Sequence, residues 1–443
     1  MNWTDLISSK RYGKSNDEYA ATERRTEFQR DFDRLIFSAA FRRMQNKTQV
    51  FPLPGSVFVH NRLTHSLEVS SVGRSLGNDV AGELMQRHDP DTCEALQSMG
   101  AIVSAACLAH DMGNPPFGHS GESAIRTFFS ENQGESLRHF FTEQGWQDVV
   151  KFDGNANTFR LLTHQFVGRR KGGFVMTYST LASIVKYPFS STLAPKSKFG
   201  FFAEDQAGYI EIARSLGIPL LENDGKGGVK YARHPLVYLV EAADDICYEI
   251  MDIEDAHKLR ILSFDETEDL LLSFFEDKER EQIRTTYTET VDANDRVAFY
   301  RACVINTLER ACVKLFVDNE ETLLSGEFKG SLIDNLPEPL RSNYKRCAQL
   351  ARKRIYQCKE VTDIDLAGYH IIYTLLKLMV EAVLHPDHAY SKLLLNQASS
   401  QYPLTGGTEA QRIMAVLDYL TGMTDVFALD LYRKINGHSL PVI

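Results

Sequence analysis

Apolar residues recur at helical spacing through most of this chain, and nowhere do they alternate with a period of two over a useful length. From Arg24 to Asn46, Phe28, Phe32, Leu35, Ile36, Ala39, Ala40 and Met44 fall on one helical face, which predicts a single amphipathic helix. Similar patterns run through 62–86, 92–112 and 121–130, and a long helix is expected from Pro235, because proline suits a first turn. Beyond Ala256 the pattern is helix upon helix to about Asn436. Breakers are scarce, with 28 glycines and 14 prolines in 443 residues. Pro52 and Pro54 force an extended or hairpin connection, while 186–202 and 221–230 read as loops. The expected fold class is all-α.

Composition narrows the function classes. A hydrophobic fraction of 43% with 24% charged residues is that of a globular chain with a sizeable core. No run approaches 18 apolar residues and the start lacks an apolar leader, so neither a membrane span nor a secretory signal is expected. Seven scattered cysteines without a CxxC pair argue against a disulfide framework or zinc ribbon and for the cytoplasm. The net charge of −10 disfavours nucleic acid as the main ligand. The first fifty residues nevertheless carry ten Lys/Arg against seven Asp/Glu, leaving a locally basic end.

Three separated segments carry residue types that a divalent cation wants: His65 in RLTHSLEV, His110 and Asp111 in CLAHDMGN, and Asp244 and Asp245 in VEAADDICYEIMD. Imidazole nitrogens mixed with carboxylate oxygens suit Mn, Fe, Ni, Zn or Co. Side chains of helical neighbours diverge by about 100°, so His110 and Asp111 share an ion only where a helix ends. The following MGNPPFG ends one there. Carboxylates inside the apolar helix around Asp244 are costly unless paired or metal-bound. His119 and Glu122 form an i, i+3 pair suited to proton transfer, although GHSGE also suits a capped helix start with Ser120 as cap.

These residues resemble the HD-domain metal-dependent phosphohydrolases. More narrowly, HNRLTHSLEV, LAHDMGNPPFGHSGE, GNANTFRLL, SIVKYP and EAADDICYEIMDIEDA, in that order, are similar to the deoxyguanosine triphosphate triphosphohydrolases (dGTPases). The resemblance runs from about Arg24 to Ala256, with one further match near Tyr356. It implies an N-terminal helical arm with an extended connection (1–61), an HD core (62–260) and a C-terminal helical region completing the nucleotide pocket (261–443). It makes His65, His110, Asp111 and Asp244 the ligands of a divalent ion such as Mn or Mg, with Ni, Fe, Co and Zn as alternatives. Asp244 is preferred to Asp245 because Tyr248 and Asp252 follow it by four and eight residues, reaching the deoxyribose 3′-OH and excluding a 2′-OH. His119 with Glu122 becomes the general acid/base pair. Arg62, Asn155 and Lys186 become phosphate contacts with Tyr187 beside them, and Gln49 lies near sugar or base. Tyr356 and Gln357 meet the nucleotide, with Arg354 and Lys359 less firmly placed. Many relatives carry a second histidine where this chain has Asn114, which can still donate to a phosphate oxygen. The implied activity is hydrolysis of dGTP to deoxyguanosine and tripolyphosphate. Alternatives are a broad dNTP triphosphohydrolase, another HD nucleotide phosphohydrolase, or a module sensing nucleotide or single-stranded DNA. A homo-oligomer, a hexamer among the options, and single-stranded DNA as a regulator are further expectations from the family.

Overall fold

The computed structural model describes residues 1–14, 25–51, 59–131, 134–286 and 292–438. Among the described residues the regular structure is helical, as the periodicity implies, apart from one small hairpin. The helices that build the site are α1 (Glu27–Ile36), α2 (Ala39–Arg43), α3 (Arg62–Leu84), α4 (Met99–Ala109), α5 (Gly118–Ser130), α6 (Leu236–Lys258), α7 (Lys359–Leu384), α8 (Glu409–Thr421) and α9 (Asp425–Ile435).

The expected single helix over 24–46 is two helices. Ser38 is extended, with φ −76° and ψ 149°, and its side chain accepts from Phe41 N to cap α2. A Thr26/Gln29 capping box starts α1, and hydroxyl caps of this kind favour a new helix over continuation. The pattern over 92–112 likewise splits, between Pro90–Leu96 and α4. The segment expected as a loop at 221–230 is largely a hairpin of β1 (Leu220–Asn223) and β2 (Val229–Tyr231). Asp224 Oδ1 accepts from Lys226 N and Gly228 N and closes its turn, a local device that strands this short do not advertise by alternation. The Pro52/Pro54 connection lies outside the described residues. The two helical stretches long and apolar enough to cross a membrane, Pro90–Ala109 and Lys359–Leu384, are at least half buried within the protein.

Two apolar cores flank the site. The larger gathers α1 to α4, α6 and the helices between 264 and 355, and includes Trp3 and Leu6, so the described N-terminal residues pack inward. The second joins α5 and the segment around Trp146 to α7, α8 and α9. The C-terminal region thus contributes to both. Within the first core, α3 and α4 meet at Gly77 and Gly100, where a Cβ on Gly77 would lie 2.8 Å from the Gly100 Cα. That backbone approach fixes the two helices that carry His65 and lead into His110.

His234, fully buried just ahead of α6, ties this helix to the N-terminus. Its Nδ1 accepts from Leu236 N at 3.2 Å and its Nε2 donates to Leu6 O at 3.2 Å. Burial pushes the imidazole down to about 4, the Leu6 bond opposing only in part. The folded chain therefore keeps His234 neutral through a range where the unfolded chain protonates it, near 6.5. Stability should be lost as pH falls from about 6.5 to 4, by at most ~3 kcal/mol from this residue. Melting temperature measured across that window should fall less steeply in His234→Gln; an unchanged slope would remove His234 as the cause.

Candidate metal and phosphate site

His65 sits one turn into α3, and His110 and Asp111 follow the last residue of α4. Because the helix ends at Ala109, both neighbours turn toward the same point. The nearest ligating atoms of His65, His110 and Asp111 lie within 4.8 Å of one another. Asp244, from the middle of α6, places Oδ1 3.1 Å from His65 Nε2 and 3.4 Å from His110 Nε2. Asp245 faces Lys186 and Glu241 instead.

The donor chemistry fits a divalent cation. His110 Nδ1 donates to Cys107 O at 2.6 Å, which leaves Nε2 as the ring nitrogen pointing into the cluster, able to ligate a cation that displaces its proton. That Nε2 is buried and makes no hydrogen bond among the described residues. Burial opposes charge on His110, yet the Asp111 and Asp244 carboxylates outweigh it and raise the imidazole to about 9. Asp111 is oriented from outside, its Oδ2 taken by Arg62 Nη1 and its Oδ1 by Asn114 Nδ2 at 2.6 Å. His60 Nδ1 and Asp255 Oδ2, 2.8 Å apart, hold the start of α3 against the end of α6.

A cavity of about 500 Å³ opens beside this cluster. His119, Lys186, Lys198, Asn155, Tyr187, Gln49, Tyr248 and Tyr356 line it together with Arg62, Asn114, Asp111 and Asp244. Gln49 Oε1 is buried there without a partner among the described residues. Lys186 pairs with Glu241 at 3.0 Å, and Lys198 with Asp153 at 3.1 Å. Asn155 is held by Asp153, which caps the helix Gly154–Thr163. Gly154 must lack a side chain, since a Cβ there would lie 2.0 Å from Asn114 Oδ1. That contact accounts for the glycine of GNAN.

His119 stands exposed at the mouth, with Nδ1 3.1 Å from Glu122 Oε2. Glu122 is 2% exposed and its Oε1 accepts from Gly154 N at 2.7 Å. Burial alone would raise the Glu122 carboxyl; the His119 bond, the Lys198 charge and the Gly154 N–H hold it at about 2. Ser120 is not the expected cap: its hydroxyl donates to Asp365 O on α7, so it pins α5 to that helix.

Tyr248 and Tyr356 form an aromatic part of the lining, ring centroids 5.9 Å apart, with Tyr248 edge-on to His65 at 6.2 Å. Asp252, expected to reach the sugar, lies behind these rings, with its Oδ2 accepting from the Tyr356 hydroxyl at 2.7 Å. Burial raises its carboxyl well above the usual range although the tyrosine bond works the other way. Gln357 is exposed and away from the cavity, Arg354 turns outward to Glu266 and Ile261 O, and Lys359 is exposed.

Two family models match the chain, the HD domain over residues 62–155 and the phosphohydrolase-associated domain over 335–434. A Pseudomonas aeruginosa deoxyguanosinetriphosphate triphosphohydrolase-like protein is 37% identical over the full length of both chains. A protein of the same description from Synechocystis is also 37% identical, over 99% of this chain and all of its own. The chain belongs to the dGTPase-like family of HD-domain phosphohydrolases. A Yersinia enterocolitica protein named deoxyguanosinetriphosphate triphosphohydrolase is 27% identical over 98% of this chain and 99% of its own.

For this dGTPase-like phosphohydrolase, sequence reasoning missed Lys47, Glu241, Asp365 and Asp425. Lys47 Nζ is buried between Asn114 O at 2.6 Å and Thr421 O at 2.8 Å. Asp425, heading α9, accepts from Thr48 N on one carboxylate oxygen and Phe117 N on the other. Both partnerships span more than 300 residues for Asp425, and no spacing rule announces them.

Asp111→Ala should purify with its divalent metal lost, because one carboxylate fewer leaves a dication short of charge and ligands. His119→Ala should keep wild-type metal content. Metal analysis of both purified variants checks the pair, and the reverse result would exchange the roles of the two residues.

Proposed function

We propose that this protein hydrolyses dGTP to deoxyguanosine and tripolyphosphate. The observation that carries the reading is that Tyr248 and Tyr356 line the same cavity as the His–Asp cluster, with Tyr248 edge-on to His65 at 6.2 Å between ring centroids, which fits a deoxyribose beside a phosphate site. The names of the relatives agree with it.

His65, His110, Asp111 and Asp244 would hold a divalent cation such as Mn or Mg, which would supply Lewis-acid charge toward the phosphates when bound. The chain's own groups do the rest. Arg62, Lys186, Lys198 and Asn155 hold phosphate oxygens, with the arginine able to fork two of them. Asn114 steadies Asp111 and presents an amide edge to the phosphates. Water attacks the α-phosphorus, the bond to O5′ breaks, and His119 gives its proton to the departing 5′-oxygen. Glu122 accepts from Nδ1–H, so the proton delivered is the one on Nε2. Tyr187 and Gln49 border the sugar and base. Asp252 acts through Tyr356, fixing the phenol that meets the sugar.

Sugar discrimination follows from the same rings. A 2′-hydroxyl pressed against Tyr248 is desolvated without a partner, which costs roughly 1–3 kcal/mol, or about 5–150-fold in kcat/KM. Wild-type protein with Mn should release tripolyphosphate from dGTP and favour it over GTP by a factor in that range. Tyr248→Ala should bring the two nucleotides closer together, measured as their ratio of kcat/KM. Release of pyrophosphate or orthophosphate instead, or an unchanged ratio in Tyr248→Ala, would reduce the reading to an HD phosphohydrolase of different substrate.

A further inference from the structure

Asp425, the first residue of α9, is buried, and its two carboxylate oxygens accept from two different segments of the catalytic cavity. Oδ2 takes the Thr48 N–H at 2.7 Å, and Oδ1 takes the Phe117 N–H at 2.9 Å. Thr48 and Phe117 line that cavity, whereas Asp425 itself is not among its lining residues. Gln49 follows the first of them directly, and His119 stands two residues after the second. One carboxylate thus bridges the segment that presents Gln49 and the segment that presents His119. Its place in the first turn of a helix favours the negative charge. Lys47 lies alongside: burial pushes its ammonium down to about 7, with Asp425 the foremost charge opposing the shift. Its Nζ ties the same loop to the end of α8, through Asn114 O and Thr421 O.

The bridge restrains a strained residue. Phe117, with φ 61° and ψ 20°, is in the left-handed region, which a bulky L residue occupies only where its surroundings hold it. It immediately precedes α5, so its conformation sets the direction in which His119, in the first turn, leaves the cation loop. Asp425 holds its amide, and α7 packs against its side chain. A Cβ on Gly368 of that helix would lie 2.5 Å from the Phe117 Cβ.

We propose that Asp425 is a positioning residue of the hydrolytic site, directing His119 toward the substrate without touching it. The assignment rests on the reaction proposed above, in which His119 gives a proton to the departing oxygen. Without the bridge Phe117 relaxes and the proton donor turns away from the reacting centre, while the His–Asp cluster stays in place.

The test uses the intact, metal-loaded protein with Asp425→Asn, which keeps the shape but turns an NH2 group toward one of the two backbone donors. Metal content should stay at the wild-type level, and kcat for dGTP should fall roughly 10–100-fold. Added to His119→Ala, the same substitution should cost less than about threefold more, because the group it positions is gone. Amide exchange over residues 112–122, followed by mass spectrometry without substrate, should quicken roughly tenfold or more, with 62–84 unchanged. Gly368→Ala presses on Phe117 from α7 with Asp425 intact, and should lower kcat in the same His119-dependent way. It decides the matter if Asp425→Asn fails to fold. Unchanged exchange in Asp425→Asn would overturn the proposal. So would full kcat, or a loss that multiplies in full with that of His119→Ala. Full kcat in a folded Gly368→Ala would overturn it too. Should the wild type leave dGTP intact, the reaction assigned above fails, while the exchange result still decides whether Asp425 holds the His119 loop.

Discussion

The site depends on two helices touching backbone to backbone. Any side chain at Gly77 would push α3 off Gly100 on α4, and the distance between His65 and His110 is set by that crossing. Protein interiors are packed too densely to absorb such a displacement locally. Histidines at the ends of two rigid rods hold their separation only if the rods cannot slide. The small residues that look like weak points in the helical pattern are therefore what makes the cation-binding geometry reproducible.

At the other end of those helices α6 gathers acidic side chains beside the His–Asp cluster, several of them pushed toward the neutral form by burial. Asp244, Asp245, Glu249 and Asp252 all stand on α6, and burial raises Asp245 and Glu249 to about 7. Carboxylates so placed are unfavourable without compensation. Arg62 and Lys186 supply part of it, and a divalent cation at the His–Asp cluster would complete it. The arrangement has the polarity that phosphate chemistry needs: acids gathered at one point, with Arg62, Lys186 and Lys198 lining the same cavity.

Much of this was legible in the sequence, and the reason is physical. Helical periodicity is a local signal, so the long helices at 62–84 and 236–258 can be read within a residue or two. The His-Asp pair is also local, because a helix must end for two neighbours to converge. What escaped reading was either a competition between two local signals or a partnership across hundreds of residues. Ser38 outweighs an unbroken apolar face and splits the expected helix; Asp224 makes a turn where composition shows only polar residues. Asp252 was expected to reach the sugar, but Tyr356, which arrives from 104 positions away, stands between it and the cavity. Lys47 and Asp425 gave no pattern at all, since each acts by closing a buried gap between segments that only the tertiary fold brings together.

The hydrogen bond from Tyr356 to Asp252 divides the labour of the site between two stretches of chain. Every proposed cation ligand comes from residues 65–244, whereas one of the two rings proposed to meet the sugar follows a π-helical turn at Ala351–Ile355. The proposed chemistry and the proposed sugar selection thus rest on separate stretches of chain. Changes in the later segment are therefore expected to alter which nucleotide is accepted while leaving the cation cluster intact.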